Sequence, residues 1–293
     1  MNKIWYDYTV IWRENMVKII EKECLNPTVT KLVVEHEKIA KKAKAGQFII
    51  LRVDSEGERI PLTIADTDPE KNTVTIIFQV AGATTIKLNS LEVGDMIHDF
   101  VGPLGKPSEI ENLKKVCVIG GGVGCAIAYP TAKALHNQGS EVTTIVGFRN
   151  KDLLILEEEF KAVSDRFFIM SDDGSVGEKG LVTHCLKELL EKETFDEVIA
   201  IGPLIMMKFV CQLTKEYNVK TTVSMNPIMI DGTGMCGGCR LSVGGQMKFA
   251  CVDGPDFDGH EVDFDEAISR NASYREFERH AYESACNLFK KGE

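Results

Sequence analysis

The chain has 293 residues, 44% of them apolar and 27% charged, which predicts a globular protein of roughly two or three domains with ample chain for a core. Its 34 Lys and Arg against 44 Asp and Glu leave a net charge of -10, spread along the sequence, which argues against a nucleic-acid surface and against docking on an acidic membrane. Nine cysteines are many for such a chain, but the number is odd and no signal peptide precedes them, so the expectation is a cytoplasmic protein without a disulfide framework.

Residues 1–15 are interrupted by Asp7, Arg13 and Glu14 and read as an N-terminal extension with neither a targeting nor a spanning segment. Over residues 16–106, short runs rich in β-branched residues (VKIIEKE, TVTKLVVEH, QFIILRV, TVTIIFQV, MIHDFV) alternate with Gly, Asn and Pro turns, the pattern of a small antiparallel β barrel. Only TTIKLNSL interrupts it with a helical turn. Residues 107–224 change grammar: a buried strand KVCVIG, a glycine loop, a helix from Cys125 to Asn137, Gly139 as its stop, and a second strand EVTTIVGF form a βαβ unit of a parallel α/β sheet. Two further helices continue it, one with Leu181, Val182, Cys185, Leu186, Leu189 and Leu190 on a single stripe and one over KFVCQLTKEYN, together with the strands FFIMS, EVIAIG and KTTVSM. In residues 225–265 periodicity fails, glycines crowd around three cysteines, and DGPDFDGHEVDFDE reads as an acidic linker; residues 266–293 form a tail with a helix from about residue 274.

The segment MNPIMIDGTGMCGGCRLSVGGQMKFAC sets Asp231, Cys236, Cys239 and Cys251 at D-x4-C-x2-C-x11-C. A plant-type iron–sulfur loop reads C-x4-C-x2-C with a distant fourth cysteine, so Asp231 stands where the first thiolate would be. The alternative role of Asp231 is an Asx turn opening the glycine loop, and the competing metal is zinc, which favours paired C-x2-C knuckles or added histidines. The remaining cysteines, Cys24, Cys117, Cys125, Cys185, Cys211 and Cys286, sit in or beside apolar runs and read as small buried hydrophobes. The histidines have no metal-ligand spacing: His136 and His184 read as helix-surface residues and His98 as a strand residue.

Gly120, Gly121, Gly122, Val123 and Gly124 follow a strand and open a helix, where unpaired N–H groups and the dipole favour a pyrophosphate. The dinucleotide fingerprint is incomplete, because Cys125 holds its third glycine position and Gly147-Phe148-Arg149 replaces the acidic end of the second strand. In the barrel half, Arg59, Pro61, Leu62 and Thr63 of RIPLTI precede FQVAGATT; an arginine can pair with a pyrophosphate and a threonine hydroxyl can bond a flavin ring nitrogen.

In this order, the barrel motif, the glycine-loop βαβ unit and the cysteine loop resemble ferredoxin-reductase-like flavoproteins with a C-terminal 2Fe-2S domain. The electron-transfer subunits of bacterial dihydroorotate dehydrogenase share the plan. NPIMIDGTGMCGGCR, with aspartate in the first ligand position, is more similar to the small subunits of NADH-dependent ferredoxin:NADP oxidoreductases, the electron-bifurcating transhydrogenases, and to those of sulfide dehydrogenases. The resemblance implies FAD along Arg59, Pro61, Leu62 and Thr63, with Thr63 the catalytic residue beside the reactive ring edge. It also implies FAD contacts from Ile77, Phe78 and Gln79, and from Gly82, Thr84 and Thr85 at the phosphates. NAD(H) rather than NADP is implied at Gly121, Gly122, Val123, Gly124 and Arg149, with Gly202, Pro203 and Met206 near the nicotinamide, and the cluster ligands are Asp231, Cys236, Cys239 and Cys251. The implied function is electron transfer between diffusible NADH, FAD and the 2Fe-2S cluster and a larger iron–sulfur flavoprotein subunit. A reading of another class, a redox-sensing nucleotide-binding regulator with a structural metal, predicts no bound flavin and no NADH-driven dye reduction.

Overall fold

A computed structural model describes residues 16–290, without the side chains of residue 275 and residues 284–290. The N-terminal extension and the expectation for the Cys286 thiol lie outside the described residues.

The first half is a closed antiparallel barrel. Its elements are β1 (Val17–Asn26), β2 (Val29–Glu35), α1 (Glu37–Lys42), β3 (Phe48–Arg52), β4 (Arg59–Asp68), β5 (Thr73–Gln79), α2 (Ala83–Asn89), β6 (Met96–Ile97) and β7 (Asp99–Leu104). The strand order is β6-β1-β2-β5-β4-β3-β7. Strands β6 and β7 are consecutive pieces of one stretch, broken only at His98; the first pairs with β1 and the second with β3, so that one stretch closes the cylinder. Alternation decides which side chains fill it: Ile19, Leu32, Ile49, Leu51, Ile76, Phe78 and Phe100 are all fully buried, and α2 adds Leu88. Helix α1 is an element the sequence reading did not anticipate, being only one and a half turns; His36 caps it, accepting from Ile39 N at 3.3 Å.

The second half is a sheet of the order β11-β10-β9-β8-β12-β13-β16. Its elements begin with β8 (Lys115–Gly121), α3 (Cys125–Asn137), β9 (Glu141–Phe148), α4 (Glu157–Ala162) and β10 (Arg166–Ser171). They continue with β11 (Glu178–Lys179), α5 (Val182–Leu190), β12 (Glu197–Ile201), α6 (Leu204–Glu216) and β13 (Thr221–Ser224). All of these strands run parallel. Helix α3 ends where Gly139 takes a left-handed φ of 91°. On α5 the residues Val182, Cys185, Leu186, Leu189 and Leu190 are buried, but Leu181 is 54% exposed. It is the residue before the helix, with extended backbone, so the helical stripe begins after it.

The last segment carries more structure than its composition suggests: a hairpin of β14 (Arg240–Val243) and β15 (Gln246–Phe249), α7 (Ala250–Asp253), β16 (Asp256–Asp258), α8 (Phe264–Ala272) and α9 (Arg275–Lys290). The stretch read as an acidic linker thus contains a strand and the start of a helix. Strand β16 adds antiparallel to β13. Asp256 is not a solvated charge: its Oδ2 accepts from Ser108 Oγ at 2.5 Å, its Oδ1 is buried, and burial pushes its carboxyl above the usual range. Asp263 caps α8, accepting from Glu266 N at 2.9 Å. Of the cysteines read as buried, Cys117, Cys125, Cys185 and Cys211 are, whereas Cys24 is exposed. It lies on a solvent-facing position of β1, its thiol donating to Asn26 O at 3.1 Å.

The two halves meet through β4 and α3. Val29, Ala65 and Ile77 of the barrel share one apolar cluster with Cys125, Ala126, Ala128 and Ala132. Lys133 Nζ reaches both oxygens of Asp66 at 2.7 and 2.8 Å, beside the bulge of β4. At the opposite, N-terminal edge of the parallel sheet, Glu193 accepts from Arg166 Nη1 at 2.6 Å and Nη2 at 2.9 Å and pairs with Lys115 at 2.8 Å. These bonds, above all those from Arg166, hold the Glu193 carboxyl down to about 2 from an ordinary 4.5. Because the folded-state value is depressed, the network's stabilisation is complete above about pH 4.5 and is lost as pH falls towards about 2. Denaturation midpoints measured across that window should fall for the native chain, and Glu193→Gln should flatten that part of the profile while lowering the midpoint at neutral pH.

Candidate functional site

The strand order places a topological switch between β8 and β12, since the chain leaves β8 towards β9 on one side and returns to β12 on the other. The carboxyl ends of these neighbours carry the two loops singled out in the sequence, Gly120–Gly124 and Gly202-Pro203. They are pressed together. A Cβ built on Gly124 would lie 2.6 Å from the Ile201 carbonyl oxygen and 2.7 Å from Gly202 Cα, and one on Gly202 would lie 3.1 Å from Gly121 Cα and N. Gly121 is closed in by the Met206 sulfur at 2.5 Å. Gly122, at φ 55°, has nothing within 4 Å of its Cβ position, so that side of the turn is open for a ligand's close approach. Arg149 is exposed at the end of β9, and its backbone oxygen accepts from Asp173 N. Cys125 fills the missing glycine position by packing its thiol against Gly120, 2.8 Å from that residue's Cβ position; burial pushes the thiol far up, so it stays protonated.

On the barrel, Arg59 opens β4 as an exposed residue, and Pro61, Leu62 and Thr63 follow half-buried; Thr63 pairs in register with Phe48 and Pro61 with Ile50. Of the β5 stretch, Phe78 points into the barrel core and Ile77 into the interface with α3, leaving Gln79 exposed. Any ligand contact from Ile77 and Phe78 is therefore limited largely to backbone. Thr85 Oγ1 is committed to the start of α2, accepting from Ala81 N at 3.0 Å and Gly82 N at 2.9 Å and donating to Gly82 O at 2.9 Å. Thr84 Oγ1 donates to Glu58 Oε2 at 3.3 Å.

The cysteine loop lies on the barrel. Gly232, at φ 73°, is buried, and a Cβ there would strike Leu104 at 2.7 Å and Ile50 at 2.9 Å. Cys239 and Cys251 are buried with their Sγ atoms 3.3 Å apart, while Cys236 is exposed and its Sγ accepts from Gly238 N at 3.5 Å. Asp231 Oδ1 accepts from Thr233 N at 2.9 Å and Oδ2 from Cys236 N at 3.0 Å, which keeps the carboxylate below its usual range and is the Asx-turn arrangement. Burial and the neighbouring Cys239 push the Cys251 thiol up, a cost that a bound cation would remove. Among the described residues no three His, Cys, Asp or Glu side chains are gathered in ligating geometry. The donor set is nonetheless that of an iron–sulfur site: soft sulfurs, two of them already adjacent, on a loop whose glycines at 232, 234 and 237 have left-handed φ.

One cavity of about 590 Å³ borders chain neighbours of the three motifs, Glu58 next to Arg59, Leu204 next to Pro203, and Gly238 between Cys236 and Cys239, while the expected nucleotide-binding and ligand residues themselves are not among those that line it. Pro227 and Ile228, in the link after β13, and Tyr274 and Phe277 of the tail also line it. The sequence reading did not place these four at the site. Tyr274, Phe277, Glu278 and Ala281 recur at helical spacing, a signal that was present but had no partner until the tail helix was placed.

Residues 226–263 match the iron–sulfur cluster binding domain of dihydroorotate dehydrogenase B. The chain is 49% identical over 266 residues to a dihydroorotate dehydrogenase B (NAD(+)) electron transfer subunit homolog of Thermotoga maritima, covering 91% of this chain and 94% of that protein. It is 33% identical over 253 residues to the dihydroorotate dehydrogenase B electron transfer subunit of Streptococcus pneumoniae, covering 84% and 96%. This chain belongs to the family of these electron transfer subunits. A solved structure described as the NADH-dependent reduced ferredoxin-NADP oxidoreductase, in a study of flavin-based electron bifurcation, superposes with a TM-score of 0.87 at 48% identity, covering 92% of this chain and 97% of that one. The chain is thus an oxidoreductase subunit of the ferredoxin-reductase-like flavoprotein plan with an iron–sulfur domain. Among the described residues no helix is long and apolar enough to cross a membrane.

The glycine contacts generate a graded prediction. Gly124→Ala places its methyl against backbone that cannot yield, so it should cost about 1–3 kcal/mol in denaturant unfolding and abolish retention on an immobilised nicotinamide nucleotide. Gly121→Ala meets mainly the flexible Met206 side chain and should be the milder of the two in both measurements.

Proposed function

We propose that this chain is the NADH-oxidising subunit of a two-subunit flavin and iron–sulfur oxidoreductase, with FAD on the barrel, NAD(H) on the parallel sheet and a 2Fe-2S cluster on the C-terminal loop. When bound, FAD supplies the conversion between a two-electron hydride and single electrons, and the cluster supplies a one-electron store. The observation that carries this reading is the joining of three parts in one chain: a barrel packed on α3, two glycine loops pressed together at the switch point of the parallel sheet, and a cysteine loop lying on the barrel.

The chain's own residues have positioning and tuning tasks. Gly121, Gly122, Val123 and Gly124 present backbone to a pyrophosphate, with Arg149 exposed at the neighbouring strand end, while Gly202, Pro203 and Met206 border the nicotinamide end. Arg59 offers a cation to the flavin diphosphate, Pro61 and Leu62 wall the ring, and Thr63 offers a hydroxyl to its reactive edge. Gln79, Gly82, Thr84 and Thr85 lie on the stretch that enters α2, towards the same diphosphate. Asp231, Cys236, Cys239 and Cys251 hold the cluster; ligation by Asp231 requires its carboxylate to turn from the N–H groups of Thr233 and Cys236. No proton relay is required, and the packing of β4 on α3 keeps the two nucleotide-bearing units in register. A larger iron–sulfur flavoprotein subunit is the partner. Around the cysteine loop, Ile230 and Met235, 51% and 88% exposed, give such a partner an apolar contact beside Cys236. NAD(H) is the nucleotide because the curated relatives are named for NAD(+) and the superposed enzyme for NADH.

The family names favour a second reading for the partner, a dihydroorotate dehydrogenase. Asp231 in place of the first cysteine separates the two, and the subunit that co-purifies with the native protein decides between them.

The anaerobically purified chain should contain one FAD and a 2Fe-2S cluster with an axial S = 1/2 signal on reduction, and should reduce a dye with NADH by itself. A colourless, zinc-containing protein without flavin would refute the assignment. Asp231→Cys should retain the cluster with a shifted potential, and Asp231→Ala should lose iron on gel filtration. In a redox titration, identical potentials for the native chain and both variants would remove Asp231 from the ligand set. Thr63→Val should slow flavin reduction by NADH about tenfold in stopped flow at unchanged FAD content, the loss of one well-placed hydrogen bond.

A further inference from the structure

The cysteine loop leaves the parallel sheet after β13 and returns to it at β16, so residues 225–255 form one excursion whose two ends lie side by side. The ends are tied together: Met225 N donates to Pro255 O at 2.9 Å, and Ser224 stands opposite Asp256 in the antiparallel register. A third segment is bound into this root, the connection from β7 to β8 that joins the barrel to the sheet. There Lys106 N donates to Gly254 O at 2.7 Å, and Ser108 Oγ donates to Asp256 Oδ2 at 2.5 Å. Ser108 N in turn donates to Ala45 O at 2.9 Å, which brings in the barrel turn before β3. Gly46 closes that turn over the pair: at φ 83°, its Cβ position lies 3.2 Å from Asp256 Oδ2, and a Cβ there would strike Ser108 Oγ.

We infer that Asp256 is a positioning residue for electron transfer: its carboxyl clamps the root of the cysteine loop to the connection between barrel and sheet, and so fixes the iron–sulfur site relative to the flavin. This rests on the assignment of FAD to the barrel and of the cluster to the cysteine loop. A carboxyl suits the task because it accepts from hydroxyls on two sides, Ser108 of the connection and Ser224 of β13. Burial disfavours its charged form, so the clamp is made of hydrogen bonds rather than of charge, and an amide can stand in for it. The barrel and the sheet also have a contact of their own, between β4 and α3 with Lys133 and Asp66 across it, which does not pass through Asp256. Loss of the clamp therefore bears on the step from flavin to cluster more than on the step from NADH to flavin.

The test uses the full-length chain loaded with FAD and cluster. In single-turnover stopped flow with NADH, Asp256→Ala should slow electron transfer from reduced FAD to the cluster about fivefold or more, while flavin reduction stays within about twofold of native and FAD and iron contents are unchanged. Hydrogen exchange at the amides of Lys106, Ser108 and Met225 should be about tenfold faster or more in that variant. Asp256→Asn keeps an acceptor for Ser108 and should bring both readouts back to within about threefold of native. Ser108→Ala should reproduce the pattern of Asp256→Ala more weakly, and it is read by the same limits if Asp256→Ala does not keep its cluster. Cluster reduction within about twofold of native, or flavin and cluster steps slowed equally, overturns the positioning role while leaving the cofactor assignments standing. A native chain that holds neither FAD nor cluster overturns the functional reading and the positioning role together.

Discussion

The constraint on which the rest of the structure depends is the backbone approach of Gly124 to Ile201 and Gly202. At 2.6 Å from a carbonyl oxygen there is no room for a Cβ, so the end of β8 and the end of β12 can touch only where both chains lack side chains. That contact draws the two strand-end loops into one surface at the topological switch, with the amino end of α3 behind it. The rest of the parallel sheet holds this edge steady from a distance. Strands buried on both faces set the spacing of β8 and β12, and the ion network of Arg166, Glu193 and Lys115 closes the opposite edge, where charge costs the nucleotide surface nothing.

A second consequence follows from α3, which serves two surfaces. Its amino end faces the glycine loop, while its flank of small residues, Ala126, Ala128 and Ala132, accepts Ala65 and Ile77 of the barrel. Small side chains on both sides allow the units to approach closely, and the ion pair of Lys133 with Asp66 bridges them. The cysteine loop is anchored by the same device, with Gly232 lying flat on Leu104 and Ile50. Three close approaches of glycine or alanine therefore bring a barrel, a parallel sheet and a thiol loop around one cavity. An oxidoreductase that converts hydride to single electrons needs its groups within a short distance of one another, and close approach of small residues between units favours such an arrangement.

Much of this was readable from local pattern. The limits of α3 follow from a glycine loop before it and Gly139 after it, and the barrel strands follow from alternation between turn residues, because both signals act within a few residues. Where the signal is long-range, the reading failed. DGPDFDGHEVDFDE looks like solvated linker, yet Asp256 is held by Ser108 and Phe257 pairs with Val223, partners far off in the chain. Leu181 and Cys24 were placed inside by their neighbours' hydrophobicity, but one precedes its helix and the other sits on the outward side of its strand. The short helix α1 and the hairpin β14–β15 were invisible because glycines and one-turn lengths leave no period to detect.

The sequence by itself determined the kinds of chemistry present: soft thiolates at an iron–sulfur spacing, glycines that expose backbone to a phosphate, and an arginine and a threonine on one strand. These are matters of residue type and local spacing, which the covalent chain carries whatever its fold. Only the tertiary structure decided that chain neighbours of the three sets, Glu58, Leu204 and Gly238, border one cavity, that the tail's aromatic stripe lines it, and that Cys239 and Cys251 are adjacent while Asp231 still serves its own loop. The reason is that adjacency across elements depends on strand order and on how closely backbones can approach, and neither has a period along the sequence.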